Sequence, residues 1–182
     1  MNKALFIDRD GVINRERNYV HRIGDFEFLP GIFTSLKKFN SLGYLIIIIT
    51  NQAGIGRGIY TVEDYNKLTI WMLDEFENNG VEITDVYFDP NHPTHGVGKY
   101  KKESFDRKPN PGMILKASEK HAINLEKSVL IGDKLSDIQA GLNAGVGKLF
   151  MVSTGHKTED VAVPAECKLV NSLDEVLKSS NI

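Results

Sequence analysis

Asp8 and Asp10 stand one residue apart directly after an apolar run, Ala4-Leu5-Phe6-Ile7, near the start of the 182-residue chain. Carboxylates side by side repel, so a cation or a shared proton is needed to hold both. One can then attack or ligate while the other moves a proton. Two acids alone would fit a solvated acidic turn equally well. Three further clusters change the reading: Thr50 with Asn51, Arg107 with Lys108, and Asp133 with Lys134 and Asp137. Together they supply carboxylates, a hydroxyl and a lysine. That is the equipment for phosphoryl transfer assisted by a hard divalent cation.

These clusters can act together only if the fold gathers them. Ala4–Ile7, Tyr44–Ile49, the latter half of Val81–Phe88, Ser128–Ile131, Leu149–Val152 and Lys168–Val170 read as short strands. Tyr44–Ile49 is apolar without alternation, which suits a parallel strand covered by helices on both faces. Helices are expected between the strands. One places Ile32, Leu36 and Phe39 on one face and closes at Gly43. A second starts at a Thr61 cap, carries Val62, Tyr65, Leu68, Met72 and Phe76 at steps of three and four, and ends at Asn78-Asn79-Gly80. Trp71 and Met72 read as core. Others cover Gly112 to about His121, Ser136 to Ala144 and Leu173 to Lys178. This alternation implies an α/β fold, a doubly wound parallel sheet in one domain over residues 1–182. Its strand ends would share one edge, where ligands bind in such sheets.

Gly11 is expected to turn the chain out of the first strand. Asn14–Asp25, Asp89–Lys108 and Ser153–Glu166 read as loops, the first lying over the crevice. Gly54-Ile55-Gly56-Arg57-Gly58 lacks the Lys-Ser/Thr ending of a nucleotide-binding loop and reads as a flexible turn.

Composition narrows the partners. A formal net charge of −2 provides no field for recruiting nucleic acid or acidic membrane. A single cysteine, Cys167, excludes an internal disulfide and a Cys-rich metal site. Nothing at the N-terminus resembles a signal peptide, and the longest apolar run is far too short to cross a bilayer. A cytoplasmic, monomeric protein acting on a small molecule is expected, with neither nucleic acid nor membrane as partner.

Asp8-x-Asp10-Gly11, Thr50, Lys108 and Gly132-Asp133-x-x-x-Asp137 resemble, in order, the four motifs of the haloacid dehalogenase (HAD) superfamily. Asp8-Arg9-Asp10-Gly11-x-Ile13-Asn14, Tyr19-Val20-His21 and Thr50-Asn51-Gln52-x-Gly54-Ile55-x-Arg57-Gly58 narrow the resemblance. Arg107-Lys108-Pro109-x-Pro111-Gly112-Met113 and Gly132-Asp133-Lys134-x-x-Asp137 continue it. These segments are similar to the D-glycero-D-manno-heptose 1,7-bisphosphate 7-phosphatases, relatives of the histidinol-phosphatase domain.

The resemblance implies a Rossmann-like HAD fold and a Mg2+-dependent phosphatase acting on a sugar phosphate, in the supply of heptose precursors for lipopolysaccharide or other surface glycans. Asp8 would be the nucleophile that forms an aspartyl-phosphate, and Asp10 the general acid and base. The metal would be held by Asp8, the Asp10 backbone carbonyl and Asp133. Thr50 and Lys108 would bind the transferring phosphoryl oxygens. Arg107 and Lys134 would contact substrate, Arg107 at the distal phosphate. Glu16, Arg17, Asn18 and Tyr19, with Asn51, Gln52 and Ala53, would line the substrate site. Asp137 would orient Lys134 or a metal-bound water.

One departure stands out. Many members of this family bind a structural zinc in the long loop through Cys-x-His and Cys-x-Cys, and the matching positions here are Asp89, Asn91, Ser104 and Asp106. No zinc is expected, and loop histidines His92 and His95 are better read as solvated. The loop must then be ordered by packing or be mobile. The intervals Asn14–Pro30 and Thr61–Asp106 are too short for a large cap domain, so an open cleft is expected. Two rival functions remain at this level: a histidinol-phosphate phosphatase, and a phospho-accepting receiver-like switch. Receivers place their phosphorylated Asp on a later strand, and Asp8-x-Asp10 supplies the extra acid and base that turnover needs, which favours an enzyme.

Overall fold

The computed structural model describes residues 1–153 and 163–179; part of the expected Ser153–Glu166 loop lies outside the described residues. Among these residues six strands form one all-parallel sheet: β1 (Lys3–Ile7), β2 (Tyr44–Asn51), β3 (Asp85–Asp89), β4 (Val129–Gly132), β5 (Lys148–Val152) and β6 (Cys167–Val170). Their order across the sheet is β3-β2-β1-β4-β5-β6. The chain winds outward from β1 to β3, then crosses to β4 on the other side of β1. The order therefore reverses at β1 and β4, and a crevice opens beyond the ends of such strands.

The apolar runs are explained by two cores, one on each face of the sheet. Leu5, Ile7, Ile46, Ile48, Val129 and Ile131 face one core. There they meet Leu36 and Phe39 of α1 (Ile32–Ser41), Leu68, Met72 and Phe76 of α3 (Val62–Asn78), and Val176 of α6 (Leu173–Ser179). Ala4, Phe6, Ile47, Ile49, Leu130 and Met151 face the other, against Met113, Ile114 and Ala117 of α4 (Gly112–His121) and Ile138 and Ala140 of α5 (Leu135–Ala144). Neighbouring residues along one strand thus enter opposite cores, and neither face leaves room for a polar alternate. Burying each such side chain is worth about 1.5–3 kcal/mol. Met72 is fully buried as core, while Trp71 is half-buried and packs edge-on against Phe26.

Local signals also hold. Thr61 caps α3, accepting from Asp64 N at 3.1 Å while the Asp64 carboxylate accepts from Thr61 N at 2.9 Å. Gly11 adopts φ +90°, as the turn out of β1 requires. One expectation fails: residues 54–58 are not a flexible turn. Ala53–Gly56 is a short helix, α2, with Gly54, Ile55 and Gly56 all buried. A Cβ on Gly54 would lie 2.1 Å from the Tyr60 ring, and one on Gly56 2.2 Å from Pro90 O. Close packing, not backbone freedom, calls for these glycines.

Between Asn14 and Pro30 the only helical turn is a 3-10 turn at Ile23–Asp25, and the long loop after β3 holds another at Gly98–Tyr100. Neither segment builds a folded domain over the strand ends. Among the described residues, no helix is long and apolar enough to cross a membrane.

Candidate active site

β1 pairs with β4 so that Ile7 lies opposite Ile131, and Asp8 N donates to Ile131 O at 3.1 Å. This register sets Asp8 beside Gly132-Asp133. On the other flank Ile7 lies opposite Ile48 of β2, whose last residues are Thr50 and Asn51. A cleft of about 520 Å³ opens at this edge. It is lined by Asp8, Asp10, Glu16, Asn18, Tyr19, Thr50, Asn51, Gln52, Ala53, Arg107, Lys108, Lys134 and Asp137, with Tyr60, Pro109 and Ser136.

Lys108 joins the parts. It comes from the loop before α4 and is held by its backbone: Asn51 Oδ1 accepts from Lys108 N, and Asn51 Nδ2 donates to Lys108 O, both at 3.0 Å. Its ammonium donates to Ile49 O at 2.9 Å and forms ion pairs with Asp8 Oδ1 at 2.9 Å and Asp137 Oδ1 at 2.6 Å. Burial works against the charge of Lys108, but Asp137 and Asp8 outweigh it and raise its pKa.

Asp137 stands at the first turn of α5, where its Oδ2 accepts from Lys134 N at 3.0 Å. It therefore pairs with Lys108 through one oxygen and holds the Lys134 backbone through the other. Gly132 makes room for it, because a Cβ there would sit 2.2 Å from Asp137 Cβ.

Asp8, Asp133 and Asp137 are all buried and can each place one oxygen within 4.8 Å of the others. Burial, then the neighbouring carboxylates, push Asp133 well above the ordinary carboxylate range. Asp8 is raised too, by burial and by Asp137, although Lys108 pulls it down. Such a cluster is short of positive charge. Its all-oxygen donor set suits a hard divalent cation.

Asp10 turns the other way, into a shell of N–H donors. Arg9 approaches it through Nε (3.1 Å) and Nη2 (2.8 Å), Asn14 Nδ2 at 3.1 Å and Gln52 Nε2 at 3.0 Å. Gln52 Nε2 also donates to Thr50 Oγ1 at 2.8 Å, while Tyr60 donates to Gln52 Oε1. The Asp10 carboxylate only accepts, so it fixes which way the Gln52 amide faces, and Tyr60 donates to the amide oxygen. Burial raises the Tyr60 pKa, which keeps the phenol a donor.

Of the residues expected in the site, Arg17 alone lies away from both cleft and carboxylate cluster; its guanidinium pairs with Glu27. Glu16 remains at the cleft, 3.5 Å from Lys134 Nζ. Asp133 belongs to the carboxylate cluster rather than the cleft wall. Arg9, Asn14 and Tyr60 were given no role from sequence. Arg9 offered a signal: a third charged residue between two acids at a buried strand end needs partners close by.

Comparison with known proteins places this arrangement. Residues 105–176 match the family model described as HAD-hydrolase-like, and together with relatives named as phosphatases this makes the chain a phosphoric monoester hydrolase. The D-glycero-alpha-D-manno-heptose-1,7-bisphosphate 7-phosphatase of Burkholderia mallei is 54% identical over 83% of this chain and 80% of its own. Two further relatives come from Photorhabdus laumondii. One, named for the alpha substrate, is 48% identical over 87% of this chain and 86% of its own. The other, named for the beta substrate, is 39% identical over 97% and 94%. The chain belongs to this family of heptose-bisphosphate 7-phosphatases. A crystal structure of D,D-heptose 1,7-bisphosphate phosphatase from B. bronchiseptica, complexed with magnesium and phosphate, superposes with a TM-score of 0.85. It is 24% identical and covers 98% of this chain and 99% of its own, so it bears on the fold.

Proposed function

We propose that this protein removes the C7 phosphate of D-glycero-α-D-manno-heptose 1,7-bisphosphate in a Mg2+-dependent reaction through an aspartyl-phosphate. The observation that carries the chemistry is the buried Lys108 ammonium bridging Asp8 and Asp137 next to Asp133. The α anomer is favoured by the identity gradient, which within one organism runs from 48% for the relative named for alpha to 39% for the one named for beta.

Arg9 N and Lys108 Nζ both bind Asp8 Oδ1. They fix the carboxylate plane and leave Oδ2 as the attacking atom. Asp10 would deliver the proton to the leaving oxygen and then take one from the attacking water. Gln52 occupies the acceptor side of Thr50 Oγ1, so the Thr50 hydroxyl hydrogen is available to a phosphoryl oxygen, alongside Lys108. Asp8, Asp133 and the Asp10 carbonyl would hold Mg2+, which would neutralise the repulsion between carboxylate and phosphate. Arg107 and Lys134 would take the substrate's distal anionic group and hydroxyls, with Asn18 and Tyr19 closing the other wall.

Phosphate release from both heptose bisphosphate anomers and from histidinol phosphate, with and without Mg2+, tests this reading. Many turnovers on the α anomer, dependent on Mg2+, are expected. Preference for histidinol phosphate would replace the substrate, and a single burst without turnover would point to a phospho-accepting switch.

A further inference from the structure

Asp89 ends β3 beside the cleft and is 2% exposed. Among the described residues this buried carboxylate forms no salt bridge. It is satisfied by hydrogen bonds instead. Oδ1 accepts from Asn91 N at 2.8 Å; Oδ2 accepts from Asn91 Nδ2 at 3.0 Å and from the Ser104 hydroxyl. The knot joins the two ends of the long loop, fifteen positions apart.

Both ends lead to Arg107. On one side the Asn91 carbonyl accepts from Arg107 Nη1 at 3.0 Å. On the other, Ser104 O accepts from Arg107 N at 3.3 Å and from Asn110 Nδ2 at 2.8 Å. The side chain and the backbone of Arg107 are therefore tied to one buried carboxylate through a single intervening residue each. An arginine side chain carries large rotamer entropy, so a guanidinium meant to meet an anion gains from being fixed beforehand. The negative charge of Asp89 also opposes the lowering of the Arg107 pKa by burial.

We propose that Asp89, Asn91 and Ser104 are positioning residues that hold the Arg107 guanidinium at the cleft, and that preference for a substrate with a second phosphate depends on this knot. The inference rests on the reading of Arg107 as the distal-phosphate contact.

The test measures kcat and KM for heptose 1,7-bisphosphate and for 4-nitrophenyl phosphate, which has no second phosphate. Asp89→Asn turns an NH2 group toward two donors, and Ser104→Ala removes one donor; Ser104→Thr restores it. The first two are expected to raise KM for the bisphosphate about tenfold and to leave kcat and 4-nitrophenyl phosphate turnover within about twofold, with Ser104→Thr near wild type. Combined with Arg107→Ala, Asp89→Asn should add little, because both remove the same contact. Equal losses on both substrates, or losses that add to those of Arg107→Ala, would overturn the positioning role while leaving the phosphatase reading intact. If Arg107→Ala alone leaves the bisphosphate KM unchanged, the distal-phosphate assignment fails and the inference with it.

Discussion

Lys108 Nζ lies 2.6 Å from Asp137 Oδ1, and both side chains are 2% exposed. The pair is thus a buried ion pair whose lysine also reaches Asp8. Removing one member of such a pair leaves an uncompensated charge. Lys108→Met should therefore lower stability by about 3–5 kcal/mol near neutral pH and reduce kcat by at least about a hundredfold, as loss of a transition-state donor does. Urea unfolding and phosphate release report the two effects separately. A stable, active Lys108→Met protein would show that the bridge is dispensable.

The carboxylate cluster predicts a pH dependence that the metal reverses. The pKa values of Asp8 and Asp133 are raised in the folded protein, chiefly by burial. The folded state then binds more protons than the unfolded chain once pH exceeds about 4. Stability falls with pH wherever this holds, so the metal-free protein should lose stability as pH rises from 4 toward 8. Mg2+ competes with those protons, and its stabilisation should be larger at pH 8 than at pH 5. Thermal melts at both pH values, with and without Mg2+, give the answer; a Mg2+ shift that is greater at pH 5 would contradict the cluster as the metal site.

Tyr60 reaches Asp10 only through Gln52, yet it donates to the oxygen of the amide that serves both Asp10 and Thr50. In Tyr60→Phe the Gln52 Oε1 loses its donor, and the amide that serves Asp10 and Thr50 is held less tightly. A fall in kcat of about three- to tenfold with little change in KM is expected, on the scale of one hydrogen bond. Glutamine 52 replaced by leucine (Gln52→Leu) should cost more, since both bonds go. Equal, unimpaired kcat in the two variants would mean that Asp10 is held sufficiently by Arg9 and Asn14.

How far the sequence carried the site depends on the range of the contact. The strand-end positions of Asp8, Thr50 and Asp133 follow from apolar runs that stop at polar residues, a local signal. Their convergence follows from parallel alternation of strands and helices, which is nearly local. The partner of Asp137 was not legible. Helical position explains its bond to Lys134 N, but its bond to Lys108 depends on how α5 and the loop before α4 meet across the sheet edge. The same holds for Arg9, whose direction after β1 is set by the turn through Gly11, and for Arg17, which electrostatics drew to Glu27. Gly54 and Gly56 looked like loop glycines because sequence shows their freedom and hides the Tyr60 ring and Pro90 carbonyl against them.

Asp8→Asn separates the chemistry of the site from its cost to the fold. Both contacts of the Asp8 carboxylate fall on Oδ1, from Arg9 N and Lys108 Nζ, and an asparagine carbonyl can accept both. The amide nitrogen replaces the oxygen proposed to attack, so turnover should disappear. The variant also removes one buried negative charge from a cluster that disfavours it. Metal-free Asp8→Asn should accordingly be more stable than wild type at pH 8, by on the order of 2 kcal/mol, and the difference should vanish near pH 4, where the wild-type carboxyl is itself neutral. Gain of stability with loss of activity is what a charged functional site exposes when its charge is deleted. A variant that still releases phosphate would remove Asp8 as nucleophile, and one that unfolds more easily at pH 8 would show that the Lys108 pairing outweighs the repulsion.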